Sequence, residues 1–287
     1  MILAAGTCWG CLGVFVRNLN SFGIESMEIV EVRSIVCVVL LGMAILIRDR
    51  KLLRINPKHL WCFFGTGVVG ITFFNFCYFL TMKAASLSVA AVLLYTAPFF
   101  VMLLSAVLFH ESITRRKIIS LIMAFTGCML VSGVFDGSAV LTTKGILIGL
   151  CSGIGYACYT IFLRYAVNYG YHPLTAQFYT FLIAAIGGAF LTDFDRVAAG
   201  IETGGAVPVL LFLGIGLVST AFPNLLYNTG MKYIDNGKAS VMASVEPVMA
   251  IVVGLVLFGE VPSPVAAAGM VLSVSAVVLV NLEKKSE

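Results

Sequence analysis

Charged side chains are scarce in this chain: 18 Lys and Arg and 14 Asp and Glu among 287 residues make 11%, against about 25% in an average soluble domain. The net charge of +4 lies in short polar stretches. With no continuous basic tract to track phosphates, nucleic acid is excluded as a partner. Histidine is rarer still. His59, His110 and His172 are the only three, and all fall at the ends of apolar runs, so none is placed to activate Ser152 or another membrane-embedded nucleophile. The nearest approach to a zinc-protease motif, His110-Glu111-Ser112-Ile113-Thr114, has Thr where the second His must stand. There is no Walker loop, which excludes direct use of ATP. The expectation is therefore of no enzyme, no cofactor and no metal. Eight cysteines are present, all inside apolar stretches where Cys serves as a small packing residue. They imply no disulfide framework, and Cys8-x-x-Cys11 lacks the βαβ context of a redox motif. A basic segment ahead of the first apolar run is also missing, so no cleavable signal peptide is expected. The run from Met1 to Val16 reads as a first span, and its abrupt start suggests a few further cytoplasmic residues ahead of it.

What the chain does have is apolar length. Hydrophobic residues make up 60% of it, with a mean hydropathy of +1.03. Lipid must be its solvent, and at about 20 residues per span there is room for about ten helices and no sizeable soluble domain. Breaks at charge and Gly/Pro/Asn/Asp clusters place the helices near 2–19, 26–47, 60–82, 86–109 and 115–135, then 144–166, 173–192, 207–231, 237–258 and 263–282. Cytoplasmic loops are enriched in Lys and Arg. With both termini cytoplasmic, 13 of the 18 basic residues fall inside, among them Arg48 to Lys58, Arg115 to Lys117, Lys284 and Lys285, and only Arg17, Lys83, Lys144 and Arg196 fall outside. Arg33 remains within the second span.

The chain also repeats itself. Shifting residues 74–111 by 149 positions gives eleven identities in 38, including Asn75/Asn224, Tyr78/Tyr227, Pro98/Pro247 and Glu111/Glu260. A weaker echo at offset 147 pairs Gly6/Gly153 and Arg17/Arg164. Five spans per half is an odd number, so the second half enters the membrane from the opposite side to the first. The expected architecture is an all-α membrane protein of ten transmembrane helices, two inverted five-helix repeats (residues 1–140 and 141–287) around a central cavity.

Trp9-Gly10, Glu28-Ile29-Val30 with Arg33, Pro98 with Glu111, and Ser244-Val245-Glu246-Pro247 followed by Leu257-Phe258-Gly259-Glu260 carry a resemblance over essentially the whole length. The chain resembles the EamA-type permeases of the drug/metabolite transporter superfamily. The resemblance implies a ten-helix basket in the cytoplasmic (inner) membrane and export of amino acids or other metabolites. It leaves open an importer or exchanger of a small metabolite or organic cation, and a channel or sensor. Expected partners are a small-molecule substrate and the lipid bilayer, with the protein a monomer or homodimer.

Several polar residues stand inside apolar spans. Glu246 lies about nine residues into the ninth span, where a carboxylate costs roughly 2.5–3.5 kcal/mol even on insertion scales. It could hold a cationic group of the substrate or a coupling proton; the structural reading is a carboxylate locked to a neighbouring hydroxyl or to backbone freed by Pro247. Arg33, with Glu28 and Glu31 ahead of it, reads as a buried ion pair, and alternatively as an outer gate or a contact for substrate carboxylate. Asn75 with Tyr78, and Asn224 with Tyr227, share helix faces at i and i+3, and Trp9, Tyr95, Tyr156 and Tyr159 could add aromatic walls. Together with Glu246 these form the expected substrate site. Each taken singly reads equally as an interhelical bond or an interfacial anchor. Gly145, Gly149 and Gly153 read as packing, and Pro98 and Pro247 as hinges or as structural breaks. Glu111 and Glu260 read as structural, ahead of the helix caps Thr114 and Ser263. The residue equivalent to Glu246 in the first half is Ala97, so whatever Glu246 does is asymmetric.

Overall fold

The computed structural model describes residues 1–135 and 142–282 and is helical throughout, with no strand among the described residues. The expected boundary between residues 140 and 141, and Lys284 and Lys285, lie outside the described residues. Nine helical stretches among the described residues are long and apolar enough to cross a membrane. The remaining expected span is a 17-residue helix, Arg115–Val131, about 25 Å long at 1.5 Å per residue and at the short end of the spanning range.

Several spans are not single helices. The first is α1 (Ile2–Gly10) and α2 (Leu12–Asn20), joined at Cys11; the second is α3 (Ser26–Arg48). The third runs through α4 (Leu60–Phe64), a wide π-helical stretch at Gly65–Phe73, and α5 (Phe74–Ala84). The fourth is broken at Tyr95-Thr96 into α6 (Leu87–Leu94) and α7 (Ala97–Phe109). Then come α8 (Arg115–Val131), α9 (Thr143–Asn168) and α10 (Pro173–Gly188). A short helix that hydropathy did not foreshadow, α11 (Phe194–Gly204), precedes α12 (Ala206–Gly216), a second wide stretch at Leu217–Ala221, and α13 (Phe222–Gly230). The ninth expected span breaks at Ser244-Val245 into α14 (Asn236–Ala243) and α15 (Glu246–Phe258), and α16 (Pro264–Asn281) follows.

The residues explain these interruptions. Pro98 and Pro247 stand in the first turn of α7 and α15, where a missing N–H costs no helical bond. The backbone breaks just before them, because each proline lacks the N–H that would reach back four residues and its ring crowds that carbonyl, at Leu94 and Ala243, where α6 and α14 end. The offset of 149 recurs in detail. Asn75 donates to the Ile71 carbonyl at 2.8 Å and Asn224 to the Thr220 carbonyl at 2.7 Å, each just beyond a wide stretch. Both α7 and α15 end on a left-handed residue, His110 and Gly259. Thr114 and Ser263 cap α8 and α16 as expected, accepting from Lys117 N and Ala266 N. The ion pairs between connections join Arg17 to Glu260, Lys83 and Arg196 to Glu25, and Lys117 to Asp235. Each joins connections that the sorting of basic residues puts on one side.

A broken helix exposes backbone carbonyls, and hydrocarbon offers them no water. Each of the two breaks ahead of a proline is covered at close range by a glycine from the other half of the chain. A Cβ on Gly6 would lie 3.3 Å from the Ala243 carbonyl oxygen and 3.7 Å from Glu246 N, and one on Gly153 would lie 3.0 Å from the Leu93 carbonyl oxygen and 3.5 Å from Ala97 N. Gly6 and Gly153 are the offset-147 pair, and Glu246 and Ala97 the offset-149 pair. Without a hydrophobic drive between helices in lipid, such close approach of small residues is a main source of cohesion. Gly153→Ala should therefore cost about 1–3 kcal/mol and lower the melting temperature in detergent. Gly13→Ala, whose Cβ meets nothing within 4 Å, should leave it unchanged or raise it.

Candidate functional site

Between the breaks and the wide stretches lies a cavity of about 180 Å³. Its floor and walls come from α1, α2, α3, α5, α6, α9, α10, α13 and α15. The wide stretches, whose backbone bonds run i→i+5, contribute Gly70, Ile71, Ser219 and Thr220 to the lining. Eight of the nine residues expected to bind substrate line it: Trp9, Asn75, Tyr78, Tyr95, Tyr156, Tyr159, Asn224 and Glu246. The ninth, Tyr227, does not. It is 1% exposed and lies behind Trp9, ring to ring at 5.4 Å, its hydroxyl 3.3 Å from Thr160 Oγ1. Trp9 on α1 occupies the frontage that the i, i+3 rule had given to Tyr227.

Arg33 lines the same cavity, and the partners expected for it lie elsewhere. Glu28 accepts from Arg196 at 3.2 Å. Glu31 is two residues from Arg33, about 200° around the helix, and lies in a separate groove between α3 and α10. Arg33 Nε is buried without a hydrogen-bond partner. Glu246 faces the same space, and no ion pair within 4.0 Å joins it to Arg33. The cavity thus presents one cation and one carboxylate, separated and available, between aromatic rings. Pro98 and Pro247 stand one residue beyond Ala97 and Glu246, and Pro98 lies at the edge of a second void of about 30 Å³ that joins Glu246 and Tyr156 to Ser240 and Ser244. Pro247 itself is not among the residues lining that void.

Behind the aromatic wall is a polar brace that the sequence reading missed. Gln177 on α10 is fully buried; its Nε2 reaches the Tyr159 hydroxyl at 3.2 Å and the Asn224 carbonyl oxygen at 3.3 Å. Tyr159 in turn donates to Asn224 Oδ1 at 2.8 Å. A carboxamide inside an apolar span was the available signal.

Toward the end marked by Lys117 and Asp235, a second network seals the molecule. Arg164 on α9 donates to Asn236 Oδ1 at 2.6 Å and to the carbonyls of Met231 and Ile234, and lies 3.9 Å from Glu111. Glu111 accepts from the backbone of Asn236 and Gly237 at 3.0 and 3.3 Å, a carboxylate on the N-terminus of α14. Asn236 Nδ2 reaches Ser105 Oγ at 3.0 Å. Outside this network opens a basin of about 640 Å³ containing Lys117, Lys232, Lys238 and Asp235.

The EamA-like transporter family model matches residues 1–133 and again residues 143–282. Among curated relatives, an uncharacterized transporter of Archaeoglobus fulgidus is 28% identical over 93% of this chain and 92% of its own length. An uncharacterized inner membrane transporter of Salmonella typhimurium, YicL, is 23% identical over 99% and 95%. One solved crystal structure superposes with a TM-score of 0.78 at 20% identity, covering 98% of this chain and 95% of that one, which establishes a shared fold.

The Lys117–Asp235 pair beside the sealing network makes a testable demand on pH. The Lys117 ammonium is 4% exposed and lies 2.5 Å from Asp235. Burial alone would raise the Asp235 carboxyl, but the hydrogen bond and charge of Lys117 outweigh it and hold the group below its ordinary 3.8. The pair's stabilisation is therefore present above that value and lost as pH falls through the lower folded one. Asp235→Asn should destabilise the protein by about 1–3 kcal/mol at pH 7 and lower its melting temperature, by less than the loss of a fully buried pair would because Asp235 is 36% exposed. The gap between wild type and variant should close as pH is lowered below 4; an equal gap at pH 7 and pH 3 would contradict the pairing.

Proposed function

This chain belongs to the EamA-like transporter family, and on that premise we propose that it is a secondary transporter exporting a small metabolite, an amino acid or related amine, across the cytoplasmic membrane by alternating access. In this reading α8 is the fifth of ten crossings, and the five-span halves are inverted repeats that rock about the shared cavity. The recurrence of breaks, wide stretches, caps and break-covering glycines at offsets of 147 and 149 supports the repeat. An odd number of spans per half supports the inversion.

The observation that carries the substrate reading is the cavity itself, with Glu246 and Arg33 facing it unpaired. A charged group in a membrane interior is retained when something in the working cycle satisfies it. Glu246 would receive the substrate ammonium, and a proton when the substrate has left, which couples export to proton entry. Arg33 would hold the substrate carboxylate, while Trp9, Tyr78, Tyr95 and Tyr156 exclude water and contact its apolar part. The network of Arg164, Glu111 and Asn236 would close the cytoplasmic side and release it in the inward-open state.

Proteoliposomes test the proposal. Uptake against a panel of labelled amino acids and amines should be saturable, show counterflow and respond to an imposed pH gradient. Glu246→Gln should abolish that response and cut the rate about tenfold or more. Non-saturable flux without counterflow would favour a channel, and a variant with unchanged pH response would remove Glu246 from coupling.

A further inference from the structure

Glu31 belongs to no part of that mechanism. Its side chain points away from Arg33 and the central cavity, toward a groove of about 350 Å³ between α3 and α10. Everything else in the groove is apolar: Ile35, Val39, Leu182, Ala185, Ile186 and Phe194 among them. The groove faces the surrounding membrane, since Val39 and Ile186, both on spanning stretches, are 54% and 60% exposed. Yet Glu31 is only 3% exposed, its Oε1 is buried without a hydrogen-bond partner, and no ion pair or hydrogen bond to its carboxylate occurs among the described residues. Gly188, which has no side chain, makes room for this carboxylate: a Cβ there would overlap Oε2.

Depth narrows what can satisfy it. Glu31 is five residues from the start of α3 at Ser26, about 7.5 Å along the axis, and the preceding Glu25 belongs to the polar end where Arg196 and Lys83 pair with it. Glu31 is thus just below the headgroup layer, beside a slot of acyl-chain character. Water and aqueous cations reach that position poorly, whereas an amphiphile already in the bilayer reaches it directly.

We propose that the α3–α10 groove is a binding site for a phospholipid with a primary ammonium headgroup, whose ammonium donates to Glu31 while an acyl chain lies along Ile35, Val39 and Ile186. The buried Oε1 calls for an N–H donor, so a primary amine fits and a quaternary choline, which has no N–H, does not. A charge-assisted bond at low dielectric gives the preference, and the chain contact gives residence. Occupancy would hold α3 against α10.

Native mass spectrometry of the full-length protein, exchanged into micelles containing equal amounts of phosphatidylethanolamine, phosphatidylcholine and phosphatidylglycerol with matched chains, reads this out. Wild type should retain one phosphatidylethanolamine with about tenfold preference over phosphatidylcholine. Glu31→Gln should reduce that preference at least fivefold, while Ala185→Phe, which fills the groove and leaves the carboxylate in place, should reduce retention of every lipid at the site. Monodispersity and a cooperative melting transition establish that both variants are folded; if either fails, Glu31→Gln is replaced by competition of the wild type with a long-chain primary amine, which should displace the lipid where its trimethylated analogue does not. Equal retention of the ethanolamine and choline lipids by wild type, or an undiminished preference in Glu31→Gln, overturns the proposal.

Discussion

In hydrocarbon every backbone polar group must find a partner within the protein, and among the described residues two spans are interrupted just ahead of a proline. The breaks before Ala97 and Glu246 leave carbonyls that would be ruinous if exposed to lipid. They persist because Gly153 and Gly6 bring another helix against them closely enough to exclude lipid. That single packing arrangement fixes where α1 and α9 run, and hence where Trp9 and Tyr156 stand. It also shapes the cavity between them.

The same arrangement converts near-symmetry into a polar site. At equivalent breaks one half carries Ala97 and the other Glu246, so the cavity has one carboxylate. Arg33 enters from α3 and is not drawn to Glu246 within ion-pair distance. Around these two charges the aromatic wall is held from behind by Gln177, Tyr159 and Asn224, a buried hydrogen-bonded network that resists collapse of the cavity. The end sealed by Arg164 and Glu111 is bonded to carbonyls and helix termini rather than packed with apolar side chains. Such contacts exchange for water at modest cost, which suits the closure proposed for this end.

The spans were legible because hydropathy over twenty residues is a strong signal, and the polar residues that line the cavity because a polar group in such a span is rare enough to stand out. The offset of 149 was legible because Asn75 and Asn224, Pro98 and Pro247, and Thr114 and Ser263 do the same local jobs. The breaks were not, since a proline in the first turn and a proline inside a helix look alike in sequence. The wide stretches carry no residue signature, and α11 is too short and polar to register by hydropathy. Partner choice was the main loss. Arg196 takes Glu28 from a distance of 168 residues, which no local spacing foretells, and Tyr227 yields the cavity to Trp9 for the same reason.

The central claim is that the two ends of one cavity open in turn. Distances between spin labels at Ser112 and Lys232, on the end sealed by Arg164, and between labels at Leu87 and Glu202, at the opposite end, test it most directly in reconstituted protein. Adding a transported solute or changing pH should lengthen one distance population while shortening the other. Two distances that stay fixed, or that lengthen together, under conditions where transport proceeds would contradict the account.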